Sequence, residues 1–403
     1  MATGGSTGGE ASSTGGSEAT TGGAGATGGM AASGGASPSG GATPTGGAGA
    51  TGGAVATGGD AAGGGSFPTG GSESGGSASG GAETGGSSTG GAETGGAGTG
   101  GAPTAGFSCP TGLEGMVPSL AGKDPGAPIA GVPTEQNFAF LEGPVWISGA
   151  LYVSQLIQRN DSNIDGGRII KYVPGEGITT FLDDVGTNGL ASDAAGLLYA
   201  ASHAAGGIIT MDPENPGAGT SVLIDEYNGN RFNSPNDLAV RSDGTVYFTD
   251  PNYQCGGCNE QPTLGVYRLP PGGTPELLDT TQSPPNGIAL SPDENTLYVG
   301  GSVLTAHPIS ADGSVGAGTQ LGNINSTDGL GIDCAGNIYV ALNQQSMVVV
   351  VDPSGNQLEG NLSVSQVTNI AFGGPENKTL FITNQAQGGE LRAVEWDLPG
   401  YPY

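Results

Sequence analysis

The sequence predicts an all-β fold: a six-bladed β-propeller of four-stranded blades, preceded by a long disordered segment rich in Gly, Ser and Thr. Three observations carry this expectation. Helical periodicity is nearly absent beyond residue 107, where short apolar alternations dominate. One phrase recurs six times there, at spacings of 46, 48, 50, 42 and 41 residues. Residues 1–107, by contrast, are almost entirely Gly, Ser, Thr and Ala and contain no Lys or Arg.

The N-terminal segment repeats Thr-Gly-Gly and Ser-Gly-Gly units, broken by six acidic residues and a few prolines. It has too little apolar surface to offset its ordering entropy, which predicts disorder. It lacks the Gly-X-Y register of collagen, so a flexible spacer is the expectation, with a reach of roughly 55–60 Å for a Gly-rich coil of this length. Met1-Ala2-Thr3 offers neither a basic n-region nor an apolar h-region. A long leash on one domain nevertheless leads us to expect a secreted or cell-envelope anchored protein, its signal not present in this chain.

Residues 108–403 are long enough for one large domain with a substantial core. No run of about 18 apolar residues occurs, so no transmembrane helix is expected. The net charge is −28, and removing the six acids of residues 1–107 from the 37 still leaves 31 acidic against 9 basic residues. So few cations cannot neutralise a phosphate track, which excludes an electrostatic nucleic-acid binder. A monomer acting on a small molecule is expected.

The repeated phrase opens on Glu142, Asn188, Asn236, Asn286, Asp328 and Asn369. Each is followed by a short apolar run, a turn, and a strand rich in Tyr and Val. A period of 40 to 50 residues with several short strands is the signature of propeller blades. The turns Asp193 to Gly196, Ser242-Asp243-Gly244 and Asp333 to Gly336 join the two inner strands of a blade. The stretches from Gly167 to Tyr172 and from Gly265 to Leu269 read as third strands.

If every blade enters its innermost strand at the same point, the six opening residues converge on one mouth of the central channel. All six carry a side-chain oxygen and none is Cys or His. Such a ring suits a hard cation, Ca²⁺ before a strictly octahedral Mg²⁺. The competing reading is a series of Asn and Asp turn residues, since both commonly precede Gly in turns.

Glu142-Gly143-Pro144-Val145-Trp146, Asn233-Ser234-Pro235-Asn236-Asp237, Pro285-Asn286-Gly287-Ile288-Ala289 and Asp328-Gly329-Leu330 resemble signature segments of the senescence-marker-protein/gluconolactonase/luciferin-regenerating-enzyme-like family. The likeness spans the domain from about residue 130 to the C-terminus. It implies a six-bladed propeller with one divalent metal in the channel and, in many members, lactone hydrolysis; related calcium-dependent propellers cleave phosphotriesters. Carried residue by residue, the resemblance makes Glu142, Asn286 and Asp328 core metal ligands, with Asn236 a fourth ligand or a substrate contact. The metal would be Ca²⁺ or another divalent cation such as Zn²⁺, Mn²⁺ or Mg²⁺. Asp328 resembles the family's ligand-and-base aspartate, which makes it the expected activator of water, with direct attack by its carboxylate as the alternative. Asn188 and Asn369 would support the ring from behind. The alternatives are phosphotriester cleavage at the same site and, of a different class, a non-catalytic binding propeller displayed at the cell surface.

Further candidates weigh less. Arg231, Tyr253 and His203 could contact substrate, whereas His307 reads as an outer-strand residue and Asp237 as an anchor for the Asn236 turn. Two histidines cannot build a His-rich zinc site, and no Gly-x-Ser-x-Gly elbow lies near a His. Cys255-Gly256-Gly257-Cys258 reads as a redox motif, half a zinc site or a local disulfide. The disulfide is favoured, and Cys109 would then pair with Cys334 in an oxidising compartment.

Overall fold

The computed structural model describes residues 107–134, 138–157, 166–281 and 284–402. The segment read as a disordered spacer lies outside the described residues, Phe107 apart. Six antiparallel sheets follow one another along the chain, each a meander with its strands in sequence order. Their first strands are Phe138–Ile147, Thr187–Ser192, Leu238–Val240, Ile288–Leu290, Leu330–Ile332 and Val367–Gly373. Each of these packs against the first strand of the blade before and the blade after, and the last packs against the first, closing a ring. The arrangement is a six-bladed β-propeller. Only short 3₁₀ turns interrupt the strands, so no helix among the described residues is long and apolar enough to cross a membrane.

Two details depart from six uniform four-stranded blades. The sixth sheet has three strands, Val367–Gly373, Thr379–Asn384 and Leu391–Glu395. The N-terminal arm runs beside the outermost of these: the Ile129 N–H donates to the Leu391 carbonyl (2.7 Å) and the Arg392 guanidinium to that of Gly126. The arm thus occupies the fourth position without forming a regular ladder. Secondly, Glu226–Tyr227 and Asn230–Arg231 make a small two-stranded ribbon between the second and third blades.

The alternation that marked the strands becomes the core. Tyr339, Val348, Val350, Phe372, Leu380 and Trp396 fill the space between the fifth and sixth blades, while between the second and third Phe232 meets Phe248 and Tyr267 edge to face. Burying each such side chain is worth about 1.5–3 kcal/mol. The four cysteines form two disulfides, Cys109–Cys334 and Cys255–Cys258.

The register of the inner strands fixes the site. In three blades the N–H of the phrase-opening residue donates to the second strand: Asn236 to Thr249 (2.9 Å), Asn286 to Gly300 (3.0 Å) and Asp328 to Ala341 (2.8 Å). In each case the same second-strand residue donates back to the carbonyl one position later. The three residues therefore stand at equivalent ends of their ladders. The glycines that follow Asn286 and Asp328 answer to packing between blades rather than to turns. A β-carbon on Gly287 would collide with the Asp328 carbonyl of the next blade, and one on Gly329 with the Asn369 side chain.

Candidate active site

Hydrogen bonds stitch all six blade junctions around the channel. Ser154 and Thr187 hydroxyls pair at 2.8 Å, the Gly189 N–H donates to the Asn236 carbonyl (2.7 Å), and the Thr249 hydroxyl to that of Asn286 (2.8 Å). The Gly301 N–H donates to the Thr327 hydroxyl (2.7 Å), the Gly329 N–H to the Thr368 carbonyl (2.8 Å), and the Thr368 hydroxyl to the Leu141 carbonyl (2.7 Å). The ring residues are thus held by a closed belt rather than by free loops.

Within that belt one cavity of about 450 Å³ opens, and Glu142, Asn236, Asn286 and Asp328 all line it. Four different blades supply them. Tyr253 and Phe140 add aromatic surface, and Gln254, Ser302, Thr327, Asn343, Gln344 and Gln385 add neutral polar groups. Glu142 is 6% exposed; its Oε2 accepts the Gly143 N–H (3.0 Å) and the Asn369 amide (3.0 Å). Asn369 in turn accepts the Ile370 N–H (2.8 Å), so its amide is oriented before it reaches Glu142.

Electrostatics at the mouth are unusual. Burial raises Glu142 well above the ordinary carboxylate range, with the charges of Asp328 and Asp237 adding to the effect. Burial also lifts Asp328 to about 7; the Asn286 amide opposes this and the Asp237 charge reinforces it. Asp237 stands at about 7 for the same reason, opposed by the Leu238 and Ile288 N–H groups and the Asn369 amide. Three carboxylates thus share a buried region, and no Lys or Arg is among the described residues lining the cavity. Asn188, 1% exposed, is not among the residues lining the cavity, and neither atom of its amide finds a hydrogen-bond partner among the described residues. Buried polar groups are rarely left so.

Other anticipated residues lie elsewhere. Arg231, in the small ribbon, gives its guanidinium to the carbonyls of His203 (2.9 Å) and Ala204 (2.7 Å) and does not line the cavity. His203 is buried in that same turn, also off the cavity wall. The Arg231 guanidinium braces the turn that carries His203. His307 is buried in an outer strand, its ring nitrogens near Thr305 (3.1 Å) and the Gly316 carbonyl (3.3 Å).

Asp237 has a larger part than a turn anchor. It does hold the Leu238 N–H (3.0 Å) and, across the junction, that of Ile288 (3.3 Å), but it also acts on both mouth carboxylates. The signal was present in the sequence, because Asp237 stands where the phrases at Asn188, Asn286 and Asp328 have Gly. Gln254, Asn343, Gln344 and Gln385 carried no such signal, being loop residues outside the repeat.

Residues 140–386 match the SMP-30/Gluconolactonase/LRE-like region. A gluconolactonase from Zymomonas mobilis is 31% identical over 279 residues, a match covering 60% of this chain and 75% of that protein. A pentonolactonase from Haloferax volcanii is 28% identical over 172 residues, covering 40% of this chain and 57% of the relative. The solved structure of a gluconolactonase from Xanthomonas campestris aligns with a TM-score of 0.55 at 25% identity, covering 69% of this chain and 99% of that one. With a match running through all six blades and more than half of its length, the chain belongs to the SMP-30/gluconolactonase/LRE-like family.

Proposed function

We propose that the protein hydrolyses lactones, with Asp328 taking the proton from the attacking water. The observation that carries this reading is the meeting of Glu142, Asn236, Asn286 and Asp328 in one cavity, in a chain whose relatives are named for lactone hydrolysis. A carboxyl group near pH 7 is suited to moving a proton at neutral pH. Asp328 accepts a proton from water as its oxygen bonds to the lactone carbonyl carbon. It then returns that proton to the ring oxygen as the acyl–oxygen bond breaks, leaving a hydroxy acid. Glu142, fixed by Gly143 and Asn369, holds its position while this occurs.

The donor set also fits a hard divalent cation, Ca²⁺ first. The four donors are oxygens, two are carboxylates, and the mutual repulsion of the buried acids is what a cation would relieve. Among the described residues no three His, Cys, Asp or Glu side chains cluster as a metal site, so the amides of Asn236 and Asn286 would be needed as ligands. A bound cation supplies Lewis acidity at the carbonyl oxygen. With no unpaired cysteine among the described residues, an oxidising location such as the cell envelope or exterior is part of the proposal.

The test is aldonolactone hydrolysis followed by proton release, with protein stripped by chelator and refilled with Ca²⁺. Activity lost on stripping and restored on refilling is the expected result. No turnover in either state, with melting still raised by Ca²⁺, overturns hydrolysis in favour of a binding propeller.

A further inference from the structure

The second and third strands of the third blade, Val246–Asp250 and Gly265–Leu269, are joined by residues 251–264 at the channel mouth. The matching connections are 203–206 in the second blade, 300–302 in the fourth, 343–346 in the fifth and 385–390 in the sixth. The long connection carries Tyr253 and Gln254 into the cavity wall. It also contains Cys255, Gly256, Gly257 and Cys258, both glycines in the left-handed region. Such a stretch in a long loop has wide conformational freedom, and closing it covalently removes much of that.

The loop is tied at both ends to the segment that delivers Asn236. Asp250, fully buried, accepts the N–H groups of Asn233 (3.0 Å) and Ser234 (2.8 Å) and the Asn233 amide (3.2 Å). The Ser234 hydroxyl donates to Gln254 Oε1 (2.7 Å) and accepts the Gln254 N–H (3.1 Å). Further along, the Gln261 N–H donates to Asn233 Oδ1 (3.0 Å), while its amide donates to the Tyr227 (2.9 Å) and Asn230 (2.7 Å) carbonyls. Between these ties sits the Cys255–Cys258 disulfide, with the Cys258 sulfur 3.6 Å from the Asn233 carbonyl.

We infer that the Cys255–Cys258 disulfide is a positioning device for substrate. It fixes Tyr253 and Gln254 as one wall of the lactone cavity, with Asp250 anchoring that wall to the Asn236 segment. Tyr253 offers a ring face to the C–H side of a sugar lactone. With Gln254 Oε1 engaged by Ser234, the amide nitrogen is the donor left for a hydroxyl. The inference deepens the lactonase reading and rests on it.

The experiment is steady-state hydrolysis of an aldonolactone by the wild type, the double variant Cys255→Ser/Cys258→Ser, Tyr253→Ala, Gln254→Ala, and each alanine in the double-serine background. Losing the disulfide should raise KM about tenfold with kcat within about twofold, the signature of lost uniform binding. The Ca²⁺-dependent rise in melting temperature should persist. Each alanine should raise KM in the wild type but add little without the disulfide, because coupled residues are not additive. An unchanged KM, or alanine effects that simply add, overturns the positioning role. A lower melting temperature with unchanged KM assigns the bridge to stability alone and also overturns it. A wild type that turns over no lactone overturns the parent reading and this one together.

Discussion

The two ends of the inner strands use the same side-chain chemistry in opposite ways. At the hairpin end Asp193, Asp243 and Asp293 are consumed by their own turns. Asp193 Oδ1 accepts the Ala195 (2.9 Å) and Leu197 (3.0 Å) N–H groups, and Asp243 accepts that of Thr245 (2.9 Å). The Ser291 hydroxyl, donating to Asp293 at 2.6 Å, holds that carboxyl below the ordinary range. Partial burial pushes Asp243 up, but its bonds to Thr245 and Arg241 outweigh this. At the mouth end Glu142 and Asp328 are deeper, have few donors, and are pushed upward. Carboxylates whose lone pairs are taken by turn amides hold a hairpin together, whereas carboxylates buried without enough donors are reserved for something else.

The sharpest break of that comparison is a matched pair of substitutions. Asp328→Asn should lower kcat by about 10²–10⁴ while leaving the fold intact, as loss of a general base does. Asp193→Asn should leave turnover unchanged. A fully active Asp328→Asn protein would remove Asp328 from the chemistry and erase the distinction.

Next in size is a test of the belt. Gly287→Ala places a methyl group against the Asp328 carbonyl and should cost about 2–4 kcal/mol, read as a lower melting temperature with activity impaired. Gly196→Ala, in a hairpin whose β-carbon position is nearly open though its φ is +84°, should cost less, on the order of 1 kcal/mol. Equal losses would mean that blade contact at the mouth is not the reason for Gly287.

The pH dependence sharpens the contrast further. In the folded, metal-free protein Asp237 and Asp328 stand at about 7, against about 3.9 in an unfolded chain. A folded value above the unfolded one gives stability that is fully present below about pH 4 and lost as the pH rises through about 7. Chelated protein should therefore lose stability across that window, by up to about 1.4 kcal/mol per pH unit for each group. Ca²⁺ should restore most at the alkaline end. Thermal melts at pH 5, 6, 7 and 8 check this, and a chelated protein that gains stability over the window contradicts it. The smallest effect is expected for Asp193→Ala, about 1 kcal/mol from a lost turn acceptor with no change in KM.

Much of the architecture was readable because propeller blades repeat, and repetition turns weak local signals into a register. Glu142, Asn236, Asn286 and Asp328 came from that register and share one cavity. The surroundings of Arg231 were not readable because the ribbon carrying it, Glu226–Tyr227 with Asn230–Arg231, lies outside the repeat; it turns the guanidinium toward two carbonyls. Asp237 was undervalued because an Asn-Asp pair reads as a turn, although it stands where other phrases have Gly, and its place opposite Gly189 puts it at the blade junction. The mouth loops bearing Gln254, Gln344 and Gln385 have no period to read, since their side chains answer to the cavity and not to a strand.

The Cys109–Cys334 bridge has a mechanical consequence. It spans 225 residues of sequence and joins the start of the arm to the turn that closes the fifth blade's inner hairpin. Tension applied upstream of Cys109 passes through the sulfur–sulfur bond into that turn and bypasses the arm, which is held by hydrogen bonds such as Ile129 to Leu391 and Lys123 to Asp397 and by the packing of Leu120, Ile129 and Val132 against the core. Without the bridge the same pull would load those contacts of the arm directly.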